Sequence, residues 1–215
     1  MNYTSIGDVL FAVSDEGALM TMRNSGAARD IVIPRKLPNG IEIVSISRIF
    51  CYGAFTKVTI SDEISTISPY AFLHSYVDSV VWPASCYRIP ESCFRNSRIK
   101  SISNIEHVTE IAKTAFHESH IKSFSWPSEC LKIPYMCFSS SHLETISNVD
   151  SVWSIDSLAF SDLKCLQSLD LSSSVVSLIS QSAFYKTAKD KILLPYYIPD
   201  EELDNAFHSP PSDCD

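Results

Sequence analysis

Glycine is scarce in this chain, with five residues in 215, and proline is ordinary at eleven. Those counts exclude a collagen-like chain and a linker-rich one. Positive charge is also short: 17 Lys and Arg stand against 25 Asp and Glu, a formal net charge of -8, with no basic block. Phosphate recognition needs a concentrated basic surface, so nucleic acid is not an expected partner. No apolar run approaches the roughly 18 residues that span a bilayer. The opening MNYTSIGDVLFAV has neither a basic n-region nor a small-residue cleavage site, so no secretory leader is expected. The chain therefore reads as soluble: it is cytoplasmic, reaches the cell surface by an unrecognised route, or belongs to something longer. CxxC is missing too. The seven cysteines (Cys51, Cys86, Cys93, Cys130, Cys137, Cys165, Cys214) form an odd set that predicts reduced thiols. GxSxG, HExxH and Gly-rich phosphate loops are absent, and acidic residues exchange with Lys at equivalent positions. No catalytic residue, cofactor or metal is assigned, and an enzyme is not expected.

What the chain does have is a period. Phe72, Phe94, Phe116, Phe138 and Phe160 follow one another at 22 residues, Phe184 after 24 and Phe207 after 23. Ala precedes the Phe at Ala71, Ala115, Ala159, Ala183 and Ala206, and at Ala54-Phe55; Cys does so at Cys93 and Cys137. Five residues before the Phe stand Ile67, Ile89, Ile111, Ile133, Ile155 and Ile179; eight before stand Ile64, Cys86, Val108, Cys130, Val152 and Val176. Ser75, Ser97, Ser119 and Ser141 come three after, and Val77, Ile99, Ile121 and Leu143 five after. A second period lies on the first: Trp82-Pro83 returns as Trp126-Pro127, 44 residues on, with Ile102-Ser103-Asn104 and Ile146-Ser147-Asn148 between and after.

A unit this short cannot bury its own apolar side, so neighbours must stack. Each repeat then contributes a short parallel strand about 4.8 Å from the next, and each side-chain type forms a column. The expectation is a right-handed repeat solenoid, a horseshoe or ribbon of short parallel strands and short helical turns, with phenylalanine as its spine. Val9–Val13 and Ala18–Met22 around Asp15-Glu16-Gly17 read as a hairpin that caps the N-terminal end. Ile31-Val32-Ile33-Pro34 reads as a first strand, Tyr196–Pro199 as a last strand, and Asp200–Leu203 as a short helix with an acidic first turn. One domain is expected over residues 1–208, with a cap at 1–38, repeats at 39–195, a second cap at 196–208 and a flexible tail at 209–215.

The frame resembles the BspA-like leucine-rich repeats, whose unit is close to LxxIxLPxxLxxIxxxAFxxCxxL. Ile121-Lys122-Ser123-Phe124-Ser125-Trp126-Pro127, Cys130, Ile133, Cys137-Phe138 and Ser141 match it in order, and the likeness runs from about Asp8 to Phe207. Three features depart from the pattern: the leader is missing, the family's Cys is Ser at the four serine positions, and alternate repeats carry Asn for Leu-Pro. The resemblance implies a leucine-rich-repeat fold and a protein-binding role, as in a surface antigen or adhesin. An intracellular protein–protein scaffold of the same fold is the alternative. A protein partner and a monomer are expected.

Binding is expected on the strand face. One outward column is Asp78, Lys100, Lys122, Glu144 and Gln167; the next is Ser79, Ser101, Ser123, Thr145 and Ser168; a third is Val81, Ser103, Ser125, Ser147 and Asp170. The bland alternative is plain solvation of an outer face. The rival site is the turn side near Arg95, Arg98, His120 and His142. His120 and His142 share a repeat position and invite a metal, but two solvated turn residues are the stronger reading. Cys86, Cys93, Cys130 and Cys137 occupy apolar columns and read as small buried hydrophobes rather than ligands or disulfide halves. Cys165 is undecided, and Cys214 is the expected exposed thiol. Trp82 and Trp126 read as core, Trp153 as an outward aromatic.

Overall fold

The phenylalanines that mark the period stack into one column. In the computed structural model, which describes residues 1–6, 8–24, 26, 29–52 and 55–210, Phe72, Phe94, Phe116, Phe138, Phe160 and Phe184 are all fully buried. Their successive ring centroids lie 5.1, 5.5, 5.4, 5.7 and 5.9 Å apart with planes within 18° of parallel. The spacing is set by the backbone. Each spine Phe N–H donates to the carbonyl of the Ala or Cys that precedes the next Phe, at 2.8–2.9 Å from Phe72→Cys93 through Phe184→Ala206.

The chain forms a β-solenoid of about seven turns. An antiparallel meander of β1 (Asn2–Ile6), β2 (Val9–Val13) and β3 (Ala18–Asn24) opens it. The strands then alternate between two faces. The first face holds β4 (Arg29–Ile33), β6 (Phe55–Ile60), β8 (Val77–Val81), β10 (Ser101–Ser103), β12 (Ser123–Ser125), β14 (Thr145–Ser147), β16 (Leu169–Asp170) and β18 (Ile192–Leu193). The second holds β5 (Ser45–Tyr52), β7 (Thr66–Ile67), β9 (Arg88–Ile89), β11 (Glu110–Ile111), β13 (Lys132–Ile133), β15 (Ser154–Ile155) and β17 (Leu178–Ile179). All pairings after the meander are parallel. β3 pairs parallel to β5, so the cap continues the second face. The hairpin between β2 and β3 needs Gly17: at φ +80 a Cβ there would stand 2.9 Å from the Glu42 carbonyl and from Val44.

The turns that carry the spine explain how a chain poor in glycine turns so often. Fourteen described non-glycine residues have positive φ, and twelve of them flank a spine Phe two before and two after: Tyr70 and His74, Ser92 and Asn96, Thr114 and Glu118, and onward to Ser182 and Lys186. Across each of these turns every second N–H points at the next turn. Thr114 donates to the Tyr135 carbonyl at 2.9 Å and Glu118 to that of Ser139 at 2.9 Å. The N–H groups between them close i→i+3 bonds, as Ser119 does to Phe116 at 3.1 Å. A left-handed L-residue costs about 1–2 kcal/mol, and an intramolecular hydrogen bond returns about 1 kcal/mol.

The 44-residue period has its own cause. Trp82 and Trp126 are fully buried against Phe94 and Phe138, at 5.9 and 6.2 Å, and donate their indole N–H to the Cys86 and Cys130 carbonyls at 3.0 and 2.6 Å. The carbonyl of each Trp then accepts from the side-chain amide one turn on, Asn104 at 2.7 Å and Asn148 at 2.6 Å. Both asparagines adopt φ 60. A Trp turn and an Asn turn thus fit as a pair.

Ala54-Phe55 is out of register with the other pairs: Phe55 lies in β6 opposite Val77, at a strand position (Ala54 falls outside the described residues). One expectation needs correction. Tyr196–Pro199 is a turn, and the last strand is β18. Leu194-Pro195 occupies the strand-end slot that Trp-Pro fills elsewhere, as Leu193 pairs Asp170, and a proline on each side leaves Tyr196 98% exposed. The helix stands as α1 (Asp200–Phe207) and runs longer than expected. It closes the stack: Phe207 lies 5.3 Å from Phe184, Ala206 is buried, and Glu202 accepts the N–H of Ile179 from edge strand β17 at 3.0 Å. Positions 211–215 of the tail lie outside the described residues.

Three outcomes test this packing. Phe116→Ala should cost about 3–5 kcal/mol in denaturant unfolding, as large core truncations do; a loss under about 1 kcal/mol would contradict the stack. Ser75, Ser119 and Ser141 are buried with no protein hydrogen-bond partner for the hydroxyl, whereas Ser97 donates to the Phe94 carbonyl at 2.7 Å. Ser119→Ala should therefore raise stability by about 1 kcal/mol and Ser97→Ala should not; a lowered melting temperature for Ser119→Ala would show that its hydroxyl is satisfied. Among the described cysteines, Cys86, Cys93, Cys130 and Cys137 are unpaired and buried and Cys165 is unpaired and exposed. Burial holds the Cys93 and Cys137 thiols well above the ordinary value, raises Cys86, and pushes Cys130 up to about 12. Peptide-mapped alkylation near neutral pH should label Cys165 rapidly and these four only on unfolding; Cys214 and the Cys51 side chain fall outside the description. Fast labelling of Cys137 would place it outside the core.

Candidate functional site

The candidate face is built by the backbone before any side chain matters. Lys100, Lys122, Glu144 and Gln167 each donate their N–H to the carbonyl of the residue one turn back, at 2.7, 3.3, 2.7 and 2.9 Å. Parallel pairing then sets Ser79 beside Ser101, and Ser123 beside Thr145, which bridges to Ser168. Ile99, Ile121 and Leu143 point inward at the start of each strand, Ile102, Phe124 and Ile146 in its middle. All ten candidate residues, Asp78, Ser79, Lys100, Ser101, Lys122, Ser123, Glu144, Thr145, Gln167 and Ser168, consequently line up on the outer side, half-buried or exposed.

The charges on this face are largely matched in place. Lys100 bonds Asp78 at 2.9 Å and Lys122 bonds Glu144 at 2.8 Å, while Gln167 donates to the other Glu144 oxygen at 3.4 Å. The Glu144 bond holds the Lys122 ammonium slightly above its ordinary range. Exposed pairs of this kind add little to stability. They can be exchanged for a partner's charges at small cost.

The rival turn residues prove to be neighbours of this face. Arg98, His120 and His142 donate their N–H groups to the carbonyls of Ser75, Ser97 and Ser119 at 2.9, 3.0 and 2.9 Å. They sit two residues before Lys100, Lys122 and Glu144, with a buried residue between, so both columns face outward along one corner. Tyr76 starts the corner row. Arg98 lies over its ring at 4.5 Å, and the His120 and His142 rings stand 4.3 Å apart. Partial burial, then the charges of His142, Arg98 and Lys100, lowers the His120 pKa. Among the described residues no group of three His, Cys, Asp or Glu could hold a metal. Arg95, three residues earlier in the turn, stays exposed.

The second face carries a site that sequence reasoning caught only at Trp153. A groove of about 640 Å³ runs over β9, β11 and β13, lined by Arg88, Glu110, Lys132, Tyr135 and Asp156 among others. Its charges are also paired, Arg88 with Glu110 at 3.1 Å and Lys132 with Asp156 at 2.8 Å. Beside it lies an apolar ridge of Leu131, Trp153 and Leu178 on successive turns, with Tyr87 two turns before Leu131, all 44–60% exposed. The signal was available in the column seven before each Phe, where Tyr87, Leu131 and Trp153 stand at polar-looking positions.

The comparisons follow from the same frame. The family model of the BspA type leucine-rich repeat region matches residues 32–144 and 131–208, with six copies. No curated protein matches the sequence. Among solved structures the chain is similar to a leucine-rich cell surface protein of Faecalibacterium prausnitzii A2-165, with a TM-score of 0.58 and 23% identity over 87% of this chain and 52% of that one. It is also similar to the pneumococcal vaccine antigen PcpA, with a TM-score of 0.48 and 18% identity over 86% of this chain and 47% of that one. The chain spans about half the length of these two proteins. With the spine, the alternating strand faces and the six matched copies together, the chain belongs to the BspA-type leucine-rich-repeat family.

Proposed function

We propose that this protein is an interaction module of surface-antigen type that binds an extended partner through its first strand face. The observation that carries the reading is the alignment of the ten candidate residues into continuous columns on a sheet whose every turn is bonded to its neighbours. A surface held that firmly loses little conformational freedom on binding, which favours it over loops. Solenoids offer such extended faces for recognition. The cell-surface description of one similar structure supports placement at the surface. A scaffold acting inside the cell would use the same face, and labelling of intact against lysed cells separates the two. A second reading rests on the ridge of Tyr87, Leu131, Trp153 and Leu178, because exposed aromatic and aliphatic clusters mark protein contacts.

Two variants decide between the faces. Ser101→Arg with Ser123→Arg fills the hydroxyl column, and Trp153→Ala trims the ridge. Both should keep the parent melting temperature. The first should weaken capture of a protein partner at least about tenfold, a loss of about 1.4 kcal/mol, and the second should leave it intact. The opposite pattern would move the binding site to the ridge and end the strand-face reading.

A further inference from the structure

The corner row of Tyr76, Arg98, His120 and His142 consists of planar groups set against planar groups. Arg98 lies over the Tyr76 ring at 4.5 Å, and the His120 and His142 rings stand 4.3 Å apart and tilted. All four are exposed at the corner, and the His142 Nδ1 lies 3.3 Å from the Ser119 carbonyl. The guanidinium carries several N–H groups and each imidazole at least one. They repeat at about the 4.8 Å rise of the strands. Beside them Lys100 is drawn toward Asp78 and Lys122 toward Glu144, at opposite ends of the row. Arg98 makes no ion pair among the described residues. Arg98 is therefore an unmatched positive charge at the centre of the row, on a chain whose net charge is -8.

The chemistry of the row selects its ligand. A metal is disfavoured, because Arg98 and Lys100 repel a cation as they repel a proton on His120. Single-stranded nucleic acid binds by stacking bases on free aromatic faces, and here one face of each ring is already taken. A peptide that adds as a strand needs an open sheet edge, whereas the backbone groups here are spent between turns. Next to the row lies a carpet of exposed hydroxyls, Ser101, Ser103, Ser123 and Ser125, which suits a hydroxylated ligand. An anionic group with three acceptor oxygens can take hydrogen bonds from two neighbouring turns at once.

We propose that this corner binds the sulfate groups of a sulfated glycan, with Arg98 and His120 as the central donors, His142 and the flanking Lys100 and Lys122 completing the site, and the serine columns contacting the sugar hydroxyls. The proposal rests on the strand-face reading and names the chemistry recognised on the partner, a glycan chain carried at a surface or on a matrix protein. A bound sulfate stabilises the charged form of His120, whose pKa in the free chain is lowered, so affinity should rise as pH falls to and below the ordinary histidine range. The other charged groups nearby are Asp78, Glu118, Glu144 and Asp162, with Arg95 and Lys164 of the opposite sign.

The test is titration of the full chain with a heparin-derived tetrasaccharide at low salt, at about pH 7.5 and about pH 5.5, the lower value still above the ordinary carboxylate range. The parent protein should bind and should bind more tightly at the lower pH. Arg98→Glu should weaken binding at least about tenfold. His120→Gln with His142→Gln should abolish the tightening while keeping most of the affinity at the higher pH. Failure of the tetrasaccharide to bind, or an unchanged affinity in Arg98→Glu, overturns the proposal. So does equal affinity for the desulfated sugar, for a poly-glutamate peptide or for an oligodeoxythymidine. A partner captured through the strand face that excess tetrasaccharide cannot displace overturns the glycan assignment and leaves the face reading in place.

Discussion

The bond from each spine phenylalanine's N–H to the carbonyl one turn on is the constraint from which the rest follows. It sets the rise of the turns, so every side chain at a given repeat position lands beside its equivalents. The rings then stack at 5.1–5.9 Å because the ladder holds them there. Offset, near-parallel rings suit the aromatic quadrupole, but that attraction alone would not hold a register over six copies. The strands on either side are short, two or three residues in most turns, and could not do so unaided. The turn is as much a part of the ladder as the strands are.

That division explains what could be read in the sequence. Apolar positions at fixed distances from Phe identify the columns, because burial tolerates only a narrow range of side chains there. The Ile five before and the Val or Cys eight before all proved buried. The left-handed turn positions gave no such signal. Tyr, Ser, Thr, Met, Leu and Ser occupy the place two before the Phe, and His, Asn, Glu, Ser, Asp and Lys the place two after. Backbone conformation selects weakly among polar and long side chains when the N–H it directs is well bonded. Phe55, which lies outside the period, shows the converse: Ala-Phe is a local pattern, and the register of that turn is decided by pairing with Val77 across the sheet. Tyr196–Pro199 has strand-like composition, yet the preceding Leu-Pro already fills the strand-end slot. The partnership of Trp82 with Asn104, and of Trp126 with Asn148, was visible as a 44-residue period but not as a hydrogen bond. The outward columns were read in full, whereas their internal ion pairs were not, since sign alternation is compatible with either paired or free charges.

The ends of the stack show how an open ladder is closed. At the N-terminal end an antiparallel meander hands over to parallel pairing at β3 and covers the start of the second face, while β4 is the edge strand of the first. At the C-terminal end a helix replaces the last second-face strand. Glu202 supplies an acceptor where β17 would otherwise present a bare N–H, and Phe207 supplies the last ring. Asp200, Glu201 and Glu202 in its first turn also complement the helix dipole. Side-chain chemistry thus stands in for a missing turn, and edge pairing with other chains is discouraged.

The same rigidity bears on recognition. In a stack whose turns are each bonded twice or more to their neighbours, a column of side chains cannot adapt its spacing to a ligand. The ligand must carry groups at the pitch of the ladder or be flexible enough to find it. A folded protein with an apolar contact patch fits the ridge around Trp153 better, where side chains stand proud of a paired-charge groove. A flexible, polar, repetitive chain fits the first face better, where hydroxyls and donors recur at a constant rise. The two faces therefore differ in the kind of partner they can hold, and one short repeat, folded twice per turn, presents both.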